Sequence, residues 1–403
     1  MFMRTILHFD LDAFFCAVEQ RRNPALANTA FVVAGHSKER GVVATASYAA
    51  RAFGIRAGTP TARALQLCRE LVVVRPDFRA YMQASREVIA LVRSEYSAVE
   101  HASIDEAYVD ITLATAVPAH IARHLQQRIA SELQLSVSCG VASNKLVAKA
   151  ATDIAKQRAR QGIMPHAILV VPTGGEAAFL APLPVDTLCG VGPKTTARLH
   201  ALGIMTLGEI AWTRSSDIRA HFSRRQAEEL IRWAKGIDHA PLVFHQVAKS
   251  LSHSTTFLRD TNERELIAGT LVTLTYELAR RLQHKQLRAR VVHCYLRWDI
   301  HSGDGRQARL VRASSDGREL SERVLQLLDM LWDGVRMVRH VGVAVAGLGD
   351  YPAQLGLWDE PAGDTLEQQA EDVISDAEEF MGHAASTHRL SYTPTKRWSA
   401  HDA

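Results

Sequence analysis

The chain has 403 residues, room for two or three domains of about 150 residues each. Apolar residues make up 47% and charged residues 22%, which excludes collagen-like, low-complexity and disulfide mini-scaffold classes, and no apolar run reaches the roughly 18 residues of a membrane span. Lys and Arg number 47 against 43 Asp and Glu, but residues 350–403 hold 3 basic and 11 acidic side chains, which leaves 44 and 32 in residues 1–349. A basic body with an acidic tail suits a polyanionic partner, or equally a merely solvated surface. Residues 1–10 reach an acid too early for a signal peptide and lack its small-residue cleavage site. Cys16, Cys68, Cys139, Cys189 and Cys294 are scattered, with no C-x-x-C pair. That set argues against a disulfide framework or a zinc site and fits a reducing cytosol.

In chain order, the apolar run at 5–9 predicts a buried strand, and 13–21 a helix that stops before Asn23 and Pro24. Strands are predicted at 30–34 and 42–45, a short helix at 47–53 closed by Gly54, and a second at 59–67. A strand at 71–74 precedes a long amphipathic helix at 78–96. Strands at 99–104 and 107–111 meet at Asp105 and Glu106. A helix at 118–133 starts on a proline, a permitted first-turn position. A strand at 136–141 and a helix at 144–155 follow. The order β, α, β-hairpin, α, β, with helices inserted after the first strand, predicts an α/β layer. Residues 181–203 read as helical with two glycine-rich turns. Residues 249–347 alternate strands (291–298, 309–313, 339–345) with helices (263–282, 319–333), a further α+β module.

Asp10 closes an apolar strand, and Asp105 and Glu106 sit between two others. Charges at strand ends are costly unless paired or metal-bound. Three carboxylates with no basic neighbour in sequence suit hard divalent cations, and two such ions about 3.5–4 Å apart stabilise both oxygens of a phosphoryl transfer. A single strand-end Asp is more often a cap, and the set remains open on its own.

Four segments carry a resemblance: FDLDAFFCAVE at 9–19, VATASYAAR at 43–51 followed by FGI at 53–55, ASIDEAYVD at 102–110, and SCGVASNKLVAK at 138–149. In content, order and spacing they resemble the motifs of the Y-family DNA polymerases of the DinB type, over residues 4–358. The resemblance implies a multidomain α/β and α+β fold, a right-hand polymerase. Its palm (1–29 and 77–164) would be ferredoxin-like, its fingers (30–76) small, and its thumb (165–240) a helix-hairpin-helix. An α+β little finger (241–349) and a clamp-binding peptide with acidic tail (350–403) would complete it. It implies cytoplasmic, error-prone, translesion extension of a primer 3′-end without proofreading, by a monomer acting on primer-template DNA and dNTPs, with no membrane partner.

By that resemblance, Asp10, Asp105 and Glu106 are catalytic and bind two Mg²⁺ ions together with the Leu11 carbonyl, while Asp12 is structural. Phe14 and Phe15 are nucleotide-binding, Phe15 as the steric gate under the sugar against a 2′-hydroxyl. Thr45, Tyr48, Arg51 and Lys156 would contact the triphosphate, Arg51 by the forked grip of a guanidinium. The family continues Pro-Asn-Gly after the lysine, whereas this chain reads QRARQG at 157–162. The run LPVDTLCGVGPKTTA at 183–197 is similar to a helix-hairpin-helix, with Gly190, Gly192 and Lys194 toward a DNA backbone. Lys249, Arg288 and Arg290 are expected phosphate contacts of the little finger. QLGLW at 354–358 resembles a sliding-clamp peptide anchored by Gln354, Leu355, Leu357 and Trp358. A catalytically silent repair scaffold, or a nucleotidyl cyclase on a similar sheet, are the alternatives; intact carboxylates speak against the first, the helix-hairpin-helix and clamp peptide against the second.

Overall fold

The computed structural model describes residues 4–36, 40–161, 167–244 and 248–351. Gln354, Leu355, Leu357, Trp358 and the acidic tail lie outside them. Of the described residues, 4–36, 41–161 and 167–244 form one compact unit, and Arg40 with 248–351 a second.

The first unit is built on a five-stranded sheet. Its strands are β1 (Ile6–Leu11), β5 (Val99–His101), β6 (Glu106–Asp110), β7 (Val137–Ala142) and β8 (Ile168–Val170), in the order β5-β6-β1-β7-β8. Helix α1 (Phe14–Arg22) follows β1. A three-stranded sheet, β3-β2-β4, then intervenes, from β2 (Phe31–Ala34), β3 (Val43–Ala46) and β4 (Val72–Val74), with the short helices α2 (Tyr48–Ala52) and α3 (Thr61–Leu67). Val32, Ala34, Val43, Ile55 and Leu71 close a small core of its own. Helices α4 (Phe78–Glu95) and α5 (Pro118–Leu133) complete the ferredoxin-like order. The strand predicted at 99–104 is shorter, because Ser103 and Glu106 exchange backbone hydrogen bonds (3.1 and 3.4 Å) and turn the chain.

Strand residues alternate faces, so His8 and Asp10 share one side of β1. Helix α6 (Lys145–Gln161) covers that side. Gly140 of β7 lets it come close: a Cβ there would stand 2.2 Å from the Ala148 carbonyl oxygen and 2.5 Å from the Thr152 nitrogen. Beyond the sheet come α7 (Glu176–Leu180), α8 (Pro193–Ala201), α9 (Leu207–Trp212), α10 (Ser215–Arg219) and α11 (Arg224–Ala234). Thr206 and Ser223 open α9 and α11 with full capping boxes. Val147, Ala148 and Ala151 of α6 belong to the same core as Leu180, Leu199, Leu207 and Leu230.

The second unit is a four-stranded antiparallel sheet, β11-β10-β12-β9, made of β9 (Ser250–Thr261), β10 (Ala289–Arg297), β11 (Gly303–Ser314) and β12 (Val338–Ala346). Helices α12 (Arg264–His284) and α13 (Gly317–Leu331) pack on it over Leu271, Leu278, Val292, Leu296 and Val343. All five cysteines are free thiols, and no helix among the described residues is long and apolar enough to cross a membrane.

Candidate active site

Asp10 and Glu106 are direct partners across the antiparallel β1–β6 ladder. Directly opposed residues of such a ladder point to the same face. Asp105 precedes β6, and its carbonyl accepts a hydrogen bond from the Leu11 nitrogen at 2.9 Å. Its carboxylate accepts one from Ser103 Oγ at 2.7 Å. The local turn and the ladder thus bring Asp10, Leu11, Asp105 and Glu106 to one sheet end.

Helix α6 supplies the cations. Lys156 donates to Asp10 Oδ1 and stands 3.6 Å from Asp12 Oδ1. Lys149 donates to Glu106 Oε1 at 2.7 Å. Lys145, one turn earlier, grips the buried Glu100 at 2.6 and 2.7 Å. Asp12 is latched by the Ser136 and Ser138 hydroxyls at 2.6 and 2.9 Å, which fixes the exit of β1. The fully buried His8 pairs its Nδ1 with Thr152 Oγ1 at 2.9 Å; its Nε2 has no hydrogen-bond partner and faces Glu106 Oε2 at 3.8 Å.

Burial raises the Asp10 carboxyl to about 8, with the Asp105 and Glu106 charges adding to the shift against the Lys156 ammonium. Burial also raises Asp105, with Glu106 adding to it. Against its own burial, Glu106 is held below the usual carboxylate range by His8 and Lys149. Burial lowers His8. Among the described residues no three His, Cys, Asp or Glu side chains form a ready metal cluster; Asp10 and Glu106 are each tied to a lysine. The donor set nonetheless fits Mg²⁺: hard oxygens gathered at one sheet end, on two carboxyls that burial raises and neighbouring negative charge raises further, a cost that a bound cation relieves.

Phe14 is buried in the core, while Phe15 keeps 9% exposure. The Phe15 ring stacks on Tyr81 of α4, a residue the motif reading did not single out. Thr45 lies in β3 opposite Val33. Ser47 caps α2 by accepting from the Ala50 nitrogen at 3.2 Å. That places Tyr48 and Arg51 on one short helix, the guanidinium 4.8 Å over the ring and its Nε donating to the Ala46 carbonyl at 3.0 Å. Lys156, expected at a phosphate, lies on Asp10 and near Asp12, at the same sheet end as the other carboxylates.

Gly190 has φ +94°, a conformation that favours glycine. Gly192 caps α8, Pro193 takes its first position, and Lys194 is exposed in its first turn. In the second unit Lys249 is exposed, the Arg290 guanidinium lies 4.1 Å from the Tyr351 ring centroid, and Arg288 exchanges backbone hydrogen bonds with Gly349 at 3.0 and 3.1 Å.

Comparison with known proteins gives concordant results. The model of the impB/mucB/samB family matches residues 9–153, that of its C-terminal domain residues 248–357, and that of the IMS family HHH motif residues 174–204. The DNA polymerase IV of Dehalococcoides mccartyi strain 195 is 35% identical over 372 residues, 91% of this chain and 93% of that protein. The DNA polymerase IV of Halorhodospira halophila is 36% identical over 351 residues, 86% of this chain and 96% of that protein. A solved Y-family DNA polymerase chimera matches with a TM-score of 0.74 at 25% identity, covering 85% of this chain and 98% of that one.

Proposed function

Because the chain belongs to the Y-family DNA polymerases of the DNA polymerase IV type, and is a DNA-directed DNA polymerase, we propose that it extends primers across damaged templates by two-metal phosphoryl transfer. The observation that carries the reading is the pairing of Asp10 with Glu106 across β1–β6, with Asp105 bonded to Leu11 beside them.

Asp10, Asp105, Glu106 and the Leu11 carbonyl would hold two Mg²⁺ ions, which when bound supply positive charge to the attacking 3′-oxygen and the departing pyrophosphate. The chain's own groups do the positioning. Lys149 holds Glu106 by a direct hydrogen bond, with the His8 ring beside it. Arg51, with Tyr48, Thr45 and Lys156, receives the triphosphate, Lys156 from its place beside Asp10. Phe15 lies under the sugar and excludes a 2′-hydroxyl.

Residues 30–76 form the fingers. Among the described residues, their three short strands and two short helices offer no long element to close on the new base pair, which supports a tolerant, non-proofreading enzyme. Residues 1–29 and 77–164 form the palm and 165–240 the thumb. There Gly190, Gly192 and Lys194 present backbone N–H groups and charge to a DNA strand. The little finger, 241–349, adds Lys249, Arg288 and Arg290. The peptide at 354–358 docks on a sliding clamp. The enzyme works in the cytoplasm as a monomer, and its DNA affinity falls steeply with salt as phosphate counterions are released.

Primer extension with Mg²⁺ tests the reading. Asp105→Asn combined with Glu106→Gln should abolish extension and keep DNA binding; extension at the wild-type rate would show that these carboxylates hold no metal.

A further inference from the structure

Phe15, Glu19 and Arg22 lie four and seven residues apart on α1 and so share one face. That face meets Phe78 and Tyr81 at the start of α4. The Phe15 and Tyr81 rings stack almost in parallel, with 4.3 Å between centroids and 14° between planes. Phe78 meets both edge-on, at 5.9 and 5.7 Å. Tyr81 is completely buried, so its hydroxyl needs a partner. It donates to Glu19 Oε1 at 2.6 Å.

Glu19 is itself buried and is also held by Arg22, which donates to the same oxygen at 3.3 Å. The second Arg22 nitrogen pairs with Asp77 at 2.9 Å, and Asp77 caps α4 by accepting from the Ala80 nitrogen at 3.2 Å. The chain of contacts therefore closes on itself: α1 and α4 are joined through Glu19–Tyr81 and again through Arg22–Asp77, with the Phe15 stack between. Stacking alone leaves a ring free to slide in its own plane, whereas a short, directional hydrogen bond at its far end does not.

We propose that Glu19 sets the sugar selectivity of the enzyme: by anchoring Tyr81 it fixes the height of the Phe15 ring and hence the space left at the 2′-carbon of the incoming nucleotide. This rests on the reading of Phe15 as the gate. Glu19 acts through Tyr81 and is a positioning residue. Discrimination by excluded volume is sensitive to small displacements, since a misplacement of about 1 Å costs roughly a hundredfold in a positioned reaction. A purely structural role would lower insertion of both sugars together and leave their ratio unchanged.

The test is single-nucleotide insertion of a dNTP and the matching rNTP by the full chain, with thermal unfolding of each variant alongside. Glu19→Ala and Tyr81→Phe should each cut the dNTP/rNTP ratio of kcat/KM about tenfold. The double variant should cut it no further, because both remove one interaction. Glu19→Gln keeps an acceptor and should stay near wild type. Should Glu19→Ala fail to fold, Tyr81→Phe, which removes a single oxygen, carries the test. Phe15→Ala is the control. A lost ratio in Phe15→Ala with an unchanged one in Tyr81→Phe overturns the Glu19 assignment. An unchanged ratio in Phe15→Ala removes the gate reading itself.

Discussion

Asp10 and Glu106 oppose each other across two adjacent strands, yet each is bound to a different lysine of the same helix, Lys156 and Lys149. Those lysines are seven residues apart, two turns or about 10.5 Å along α6. One helix thus holds both carboxylates in place and compensates their charge before any divalent ion arrives.

Lys149→Met should therefore raise the Mg²⁺ concentration for half-maximal extension by about tenfold, the usual cost of losing a group that orients a metal ligand. Direct Mn²⁺ titration of the free protein by EPR should show the same shift, and Lys149→Arg should recover most of it. Equal metal affinity in all three proteins would mean that Lys149 has no part in presenting Glu106.

Gly140→Ala would push a methyl group into the backbone of α6, against the Ala148 carbonyl and the Thr152 nitrogen. Neither can yield as a side-chain tip does, so the helix must lift. We expect a loss of about 3 kcal/mol in denaturant unfolding, at the upper end for overpacking. A loss below about 1 kcal/mol, less than overpacking ordinarily costs, would show that α6 does not rest on Gly140.

What the amino-acid pattern conveyed, and what it did not, follows from the range of each signal. The strand ending in Asp10 and the helix at 118–133 were legible because apolar period and caps are local. β8 was not: its three residues, Ile168–Val170, show no alternation and exist only because β7 lies beside them. β9 carried little signal, because Ser250, Ser252, Ser254 and Thr256 alternate with little hydrophobic contrast. Helices α9 and α10, of six and five residues, are too short for a periodic signature. In the site, Asp105 and Glu106 were visible as charges between apolar runs. The lysine partners were hidden: Lys145, Lys149 and Lys156 show a helical face, but which acids they meet is decided by the register of β1, β6 and α6. Tyr81 was hidden for the same reason, its partner Phe15 being 66 residues earlier.

His340 gives the second unit an acid limit. Its Nδ1 lies 2.8 Å from Thr256 Oγ1. Burial, with the Arg297 and Arg339 charges, lowers its pKa from 6.5 to about 4. The fold holds the neutral ring, so this contribution is complete above pH 6.5 and is lost as the pH falls from there toward 4, by at most about 3 kcal/mol. Unfolding of the full chain at pH 7 and 4.5 should show a smaller acid loss for His340→Gln than for wild type. Identical losses would remove His340 as the cause.

Leu357→Ala combined with Trp358→Ala should lower the ratio of extension with and without a sliding clamp, as expected when an aromatic anchor and its neighbour leave a pocket. The measurement is processive synthesis on a long primed template. Undiminished stimulation would place the clamp contact elsewhere in the chain.

Helix α6 has two loyalties, since the surface that touches the thumb core at Val147, Ala148 and Ala151 belongs to the same rod that carries the lysines of the acid cluster. A thumb loosened by heat or by a swapped-in sequence would tug on that rod. Damage far from the acid cluster would then register first in the ion pairs that hold Asp10 and Glu106.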